Sequence, residues 1–477
     1  MAHRSEPVLA SLAAAVILAL GSALAAGSVA AAEWEFTPRV EASTTWTDNV
    51  TAAGDGTEES EFIYALEPGF LLGVAGPRAE ASLDYSAQAL WYQDNSQFDD
   101  VYHRLLGQGL FTLVPNHFFV DGFARYDQEN IDPAGRITSG NLFRTGNRTD
   151  AAVYGLSPWY QTRIGQWAET QLRYRYQAVD YANTDTVDPR IQDSDTHAGA
   201  FWLGSPEARP GVSWRTSVNY SRTEFESAQQ FEYGQAALDL GVPVGVRSRV
   251  TATVGVESDV ATDPSEGGFD EAYWYLGYQW RPTRLQSFEV RIGDRYYGTA
   301  FELLWTRRGT RGDLSVEYTE RPTTANQRLF DGEGVFSGGR PGTPRLDTTP
   351  YLSKRLNGRI TYELVRTVLG ANVYAEKRER LGDDPLAPPD DDVVGVRLTA
   401  DWDALPRTRV NFLTRYEQRD GDDFAGSGDY LEFGAGVRRD ITRIWFLHFR
   451  VAHVRRDPAS GEDYNINAAS LAVGAEF

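Results

Sequence analysis

No cysteine occurs in the 477 residues. That excludes a disulfide framework, a thiolate metal site and a cysteine nucleophile. The single methionine is Met1. Positive charge is in short supply as well: 46 Lys and Arg stand against 67 Asp and Glu, a net charge of −21. So acidic a chain speaks against nucleic acid as a partner, because that binding needs a basic face. Long apolar runs are missing after the first 32 residues. No later stretch approaches the roughly 20 apolar residues that a spanning helix needs, which excludes a helical membrane protein. Also missing is any linker, Pro/Ser-rich hinge or shift in composition that would divide so long a chain into domains.

Catalytic signatures are absent too. The six histidines are His3, His103, His117, His197, His448 and His453, and none lies in an H-E-x-x-H motif. No G-x-S-x-G elbow occurs. His448 and His453 fall on one strand with opposite parity, so they cannot face one site together. Asp188 to Asp195 and Asp390-Asp391-Asp392 are rich in carboxylates but lack the twelve-residue EF-hand spacing. The expectation is no catalytic residue, no metal and no cofactor.

What the chain does contain is an address and a beat. His3 and Arg4 precede an almost unbroken apolar run from Val8 to Ala26, and Ala30-Ala31-Ala32 offers a cleavage site. Residues 1–32 thus read as an export signal, and residues 33–477 as one domain. That domain alternates apolar and polar side chains. Ala79, Ala81, Leu83, Tyr85, Ala87, Ala89 and Trp91 form one face, with Glu80, Ser82, Asp84 and Gln88 opposite. Ala272, Trp274, Leu276, Tyr278 and Trp280 do the same against Glu271, Tyr273, Tyr275 and Gln279. Similar runs centre on residues 172–178, 214–220, 250–256 and 394–402. The period is two, not 3.6. The chain closes on Leu471-Ala-Val473-Gly-Ala475-Glu-Phe477, which looks like the last strand of a bacterial outer-membrane barrel, with Phe477 as its assembly signal.

Connections alternate in length. Tight turns are expected at Gly76-Pro77, Pro115-Asn116, Gly165-Gln166, Arg281-Pro282, Gly309-Thr310, Arg366-Thr367 and Leu405-Pro406. Longer polar segments lie around 49–60, 93–100, 128–148, 182–195, 261–269, 322–349, 381–392 and 419–428. Short turns facing the periplasm and long loops facing outward are the habit of outer-membrane barrels. The expected fold is therefore an all-β, antiparallel, up-and-down transmembrane barrel of about 22 strands. Weak patterning at 100–114 and 297–312 sets the range at 18–22. Aromatics make up 12% of the chain, and many fall near strand ends, as interfacial girdles require: Trp34, Trp46, Trp91, Tyr92, Trp167, Trp202, Trp274, Trp280, Trp305, Trp402 and Trp445.

The two rims carry opposite signs. Long loops are expected to hold Asp55, Glu58, Glu59, Asp94, Asp99, Asp100, Asp263, Glu266, Asp270, Asp383, Asp384, Asp420, Asp422 and Asp423. Short turns hold Arg78, Arg163, Arg209, Arg247, Arg281, Arg284, Arg308, Arg311, Arg366, Arg407, Arg439 and Arg443. If lipid takes the apolar parity, the lumen receives Arg173, Arg175, Arg215, Arg249, Arg291, Arg295, Arg397 and Arg415 with Glu257, Glu271, Tyr273 and Tyr275. Such a mixture suits sugars, whose rings stack on aromatic faces and whose hydroxyls and carboxylates meet charged forks. It equally suits mutual neutralisation that stiffens the wall.

Three blocks carry a resemblance. Pro38 to Val50 (PRVEASTTWTDNV), Asn147 to Tyr176 (NRTDAAVYGLSPWYQTRIGQWAETQLRYRY) and Arg295 to Glu320 (RYYGTAFELLWTRRGTRGDLSVEYTE) resemble the opening strand and two hairpins of the β-barrel porins encoded with bacterial exopolysaccharide and PEP-CTERM protein-sorting systems. The resemblance implies residence in the bacterial outer membrane and a link to secretion of surface polysaccharide. It implies contact with outer-membrane lipid and lipopolysaccharide, the barrel-assembly machinery, the polysaccharide and a periplasmic export component. It carries no catalytic residue. The leading expectation is a conduit for exopolysaccharide. The alternatives are a general or solute-selective porin and a structural partner of a surface polymer. Strand one starts almost at the cleavage site, so gating falls to internal loops. Residues 322–349, rich in Gly and Pro, are the longest candidate.

Overall fold

The computed structural model describes residues 32–477 except 134, 139, 183–190, 207–210, 228, 261–267, 331–344, 382–389, 422–426 and 460. Residues 1–31 of the export-signal segment therefore lie outside the described residues, as do Asp188, Arg209, Asp263, Glu266, Asp383, Asp384, Asp422 and Asp423. Asp100 opens the strand Asp100–Val114 and Asp420 lies in the strand Thr408–Gly421, not in loops.

Alternating strands can satisfy every backbone donor and acceptor in a bilayer only by closing on themselves. This chain does so with 22 strands. They run β1 Glu33–Thr47, β2 Glu61–Ala75, β3 Ala79–Tyr92, β4 Asp100–Val114, β5 Phe118–Asn130, β6 Arg148–Ile164, β7 Ala168–Tyr181 and β8 Ser194–Gly204. Next come β9 Ser213–Phe225, β10 Gln230–Pro243, β11 Ser248–Glu257, β12 Glu271–Thr283, β13 Gln286–Arg295, β14 Gly298–Arg308 and β15 Gly312–Thr323. A short helix α1, Ala325–Phe330, precedes β16 Tyr351–Glu363, β17 Thr367–Arg380, β18 Asp391–Leu405, β19 Thr408–Gly421, β20 Gly428–Asp440, β21 Trp445–Pro458 and β22 Tyr464–Glu476. Each strand pairs antiparallel with its neighbour, and β1 pairs with β22 from Arg39↔Glu476 to Thr47↔Ala468. The ring is closed, and no edge is left to aggregate.

Both weakly patterned stretches are full strands, β4 and β14. In β4 the outward row includes Gly107 and Gly109, which give no apolar signal, but Ala79–Leu90 pairs with it residue by residue. One expected turn moves. Arg281-Pro282 lies inside β12, which continues to Thr283 through a register shift after Trp280. Most of the other tight turns are as short as expected. Gly165 (φ 60°) supplies the left-handed residue of one, and Asn116 (φ 65°) of another.

Cross-strand partners share a face, so one parity can be followed from pair to pair around the ring. Phe36, Trp91, Leu172, Phe201, Leu240, Val254, Leu276, Ile292, Val373, Leu398, Phe449 and Leu471 all lie on the outer face and are exposed. A continuous apolar exterior on a closed antiparallel ring is an outer-membrane barrel. Trp34, Trp280, Trp402 and Trp445 girdle its short-turn end, and Trp46, Trp91 and Trp274 the other. Trp202 departs from the expected girdle. It pairs across from Gln171 and Ser217 on the inner face, because strand parity outranks nearness to a strand end.

Candidate functional site: a two-part lumen

Twenty-two strands spaced ~4.8 Å apart and tilted ~40° give a circumference of roughly 140 Å. Wall side chains cannot fill such a tube, so whatever narrows it must come from loops. Among the described residues, two do so from the long-loop end.

The first spans β15 to β16. Its described parts, residues 324–330 and 345–350, turn inward. Helix α1 is buried through Ala325, Asn326, Arg328 and Leu329. Asn326 donates to Gln192 O at 3.1 Å and Ser194 Oγ at 2.7 Å, and accepts from the Tyr181 hydroxyl at 2.7 Å. Gln327 Nε2 donates to Thr223 Oγ1 at 3.1 Å. The next residue reaches the facing wall: Arg328 lies 2.9 Å from Glu376 on β17. One short helix thus ties β8 and β9 to β17, and the cross-section is pinched there. Phe225 and Phe231 packed with Leu352 and Leu381 complete the pinch.

The described parts of the second loop, residues 131–133, 135–138 and 140–147, cross to β20–β22. The Ile137 amide donates to the Tyr464 hydroxyl at 2.8 Å, and that hydroxyl donates back to Ile137 O at 2.7 Å. Ile137 and Phe143 pack on Tyr430, Val454 and Ile466. Arg144 is clamped between Asp100, at 3.3 Å, and the rings of Tyr92, Phe98 and Tyr102. The two loops also meet each other. Leu346 N–H donates to Ile131 O at 3.0 Å, Arg345 pairs with Asp132, and Leu329 and Leu346 pack with Ile131 against Val153 and Val179.

This divides the interior. Toward the long loops, inward charges are buried and paired. Arg295 holds Glu257 and the Tyr233 hydroxyl and sits over the rings of Tyr273 and Tyr297. Arg415 pairs with Glu432 at 3.3 Å. Arg378 binds Glu376 and Asp391, both at 3.0 Å, and Arg419 shares Asp391 at 3.0 Å. Tyr275 is buried beside Tyr273, whereas Glu271, opposite Glu257 at the rim, is exposed. A desolvated pair of this kind is costly to break from one side, so these groups hold shape.

Toward the short turns the inner wall is open. Arg173 lies over Trp159 at 4.9 Å and donates to Ser157 Oγ at 2.6 Å and Asp121 at 2.5 Å. Arg175 is exposed beside it. Arg291 joins Glu289 at 2.5 Å. Arg215 lies over Trp202 at 4.5 Å. Among the described residues Arg215, Arg249, Arg359 and Arg397 have no carboxylate within ion-pair distance. All the lumen positions expected from parity face inward, but they do not form one cluster. They split between a half where they are buried and paired and a half where they are more exposed. Sequence reasoning missed Trp159 and Trp202 as inner-wall aromatics, although strict parity with Arg173 and Gln171 would have found both.

At the rims, every turn arginine among the described residues is exposed. Just outside β8, burial among like charges pushes the Asp193 carboxyl up to about 6, against a hydrogen bond of 2.7 Å from the Tyr181 amide. The Phe477 ring is exposed, and its amide donates to Pro38 O at 3.0 Å.

No protein-family model matches the chain, and no curated protein matches it in sequence. Among solved structures it is similar to the siderophore receptor PirA from Pseudomonas aeruginosa, at 10% identity over 92% of this chain and 80% of that one, with a TM-score of 0.46. It is similar to the ferric-catecholate import receptor Fiu from E. coli K12, at 10% identity over 92% and 81%, TM-score 0.47. It is also similar to a loop-deletion mutant of OmpT, an outer membrane protein of Vibrio cholerae, at 9% identity over 94% and 100%, TM-score 0.33. The strands, the closed ring and the apolar exterior make this protein an outer-membrane β-barrel channel, narrowed toward its long loops.

Proposed function

We propose that the barrel exports exopolysaccharide across the outer membrane, entered at the short-turn mouth and gated by the described loop segments 131–133, 135–138, 140–147, 324–330 and 345–350. The division of the lumen supports this reading. A chain of hydrated, hydroxylated sugars needs a wide polar vestibule, and the short-turn half supplies one. A conduit that idles between chains needs a closure, and the paired half supplies that. The rim charges add a direction: a basic periplasmic mouth draws in an anionic polymer, and an acidic outer rim repels it onward. In this reading the chain catalyses nothing and carries no cofactor. It works with a periplasmic export component, sits among outer-membrane lipid and lipopolysaccharide, and is assembled through its Phe477 end.

The test is deletion and complementation in the cells that make the polymer. Loss of surface polysaccharide on deletion, restored by the intact chain, supports the conduit; unchanged polysaccharide overturns it. A second reading, a solute-selective diffusion porin, is favoured by the pinch at helix α1, which would pass only small solutes. It predicts normal polysaccharide and slowed uptake of small sugars in the deleted strain.

A further inference from the structure

The arginines of the short-turn half differ in one respect that decides what they can bind. Arg173, Arg291 and Arg438 are already joined to carboxylates. Arg215 and Arg249 are not. They stand together on one stretch of inner wall at the short-turn ends of β9 and β11. Arg249 reaches across β10 and binds Ser213 Oγ, with a longer contact of 3.5 Å to Gly211 O. It can do so because Gly241 leaves the path open. A Cβ there would stand 2.9 Å from Arg249 Cδ and 2.5 Å from Ser213 Oγ.

Ser213 and Arg215 are two apart on one strand face, about 7 Å, so the Ser213 to which Arg249 is anchored stands one step along the same inner wall from Arg215. Beside them Trp202, fixed by its indole N–H donating to Gln171 at 3.1 Å, lies beneath Arg215. Asp239, directly across from Arg215, accepts instead from Thr253 Oγ1 at 2.6 Å. That leaves Arg215 exposed with its donors turned to the lumen.

We infer that Trp202, Arg215 and Arg249 form an entry subsite for a carboxylated sugar, of the uronate type, at the periplasmic mouth. This rests on the export reading and names the chemistry of its cargo. A guanidinium offers a fork that matches a carboxylate in two hydrogen bonds. Two such forks on one stretch of inner wall, one of them over an indole, suit an acidic sugar in a chain better than a neutral one. A phosphate or a free dicarboxylate would meet the same charges without using the indole.

Purified full-length barrel in detergent, titrated calorimetrically with an oligogalacturonate and with a neutral maltooligosaccharide of equal length, tests the subsite. The acidic probe is expected to bind at least tenfold tighter. R215Q combined with R249Q is expected to weaken it at least tenfold, and W202A several-fold. R438Q removes a paired arginine at the same end and is expected to change affinity less than twofold. Retained heat-modifiable migration on gels shows that each variant folds. Equal affinity for both sugars, no loss in R215Q/R249Q, or an equal loss in R438Q overturns the subsite. Inorganic phosphate competing as well as the oligogalacturonate overturns its assignment to a sugar. Polysaccharide export in the same strains separates the two proposals. Export that persists without the protein sinks the conduit, whereas export that needs the protein, with unchanged binding in R215Q/R249Q, sinks the subsite alone.

Discussion

Glu376 should hold the inner gate more firmly than Arg328, although the two are partners. Glu376 is the carboxylate shared by Arg328 from helix α1 and Arg378 from its own strand, at 2.9 and 3.0 Å. It also accepts from Ser353 Oγ at 2.6 Å. Substituting Glu376→Ala therefore withdraws the acceptor from two nearly buried guanidiniums at once, and breaking a buried pair from one side costs about 3 kcal/mol. Substituting Arg328→Ala removes one charged hydrogen-bond partner and leaves Glu376 with Arg378, a loss of about 2 kcal/mol. Arg378 and Ser353 belong to the wall and hold Glu376 whether or not the helix is docked, so only the Arg328 contact biases the gate. The first variant leaves Arg328 buried without that carboxylate in the closed state, and the ratio of open to closed gate rises roughly 150-fold in it and roughly 30-fold in the second. Single-channel recording in planar bilayers reads this as the fraction of time spent at high conductance. Glu376→Gln, which keeps hydrogen-bonding capacity, should fall between. Equal open fractions in all three, or a larger effect of Arg328→Ala, would refute the shared-acceptor reasoning.

Three other outcomes are expected. Reversing Arg247, Arg284, Arg311 and Arg407 to Glu should reduce export of an anionic polymer, with the deficit largest at low ionic strength, where the mouth's field is least screened; secreted polymer measured against salt checks it. Leu276→Arg, on the outer face mid-strand, should destabilise the barrel in liposomes by about 2–4 kcal/mol, read by urea titration. Asp193 is raised in the folded state, so the native form binds the extra proton between the ordinary carboxylate range and about pH 6. Its penalty is absent below that window, sets in as pH rises through it, and is complete above. Hydrogen exchange at the Tyr181 amide, corrected for intrinsic rate, should slow from pH 7 to pH 5, and Asp193→Asn should flatten that dependence.

The strands were legible because alternation is a local signal. Ala79 to Trp91 and Ala272 to Trp280 declare their faces without reference to any partner. The signal faded in β4, where Gly107 and Gly109 stand in the outward row, and in β14, where Leu304 faces inward. Neighbouring strands made up for it, since an unpaired backbone in a bilayer is costly. The inner arginines were legible as a set for the same reason, but their division into structural and accessible groups was not. Arg295 meets a glutamate 38 positions away, Arg328 one 48 positions away, and Tyr464 a backbone 327 positions away. Nothing in the spacing of those residues points to such partners.

By itself, then, the sequence determined that the chain crosses 18 to 22 times, which side chains meet lipid and which sign each rim carries, because each follows from parity or from composition along a short stretch. Only closure of the ring decided which loops enter the lumen and which guanidiniums are left without a carboxylate. Those depend on what stands across the interior, and that distance is set by the register of all 22 pairs together.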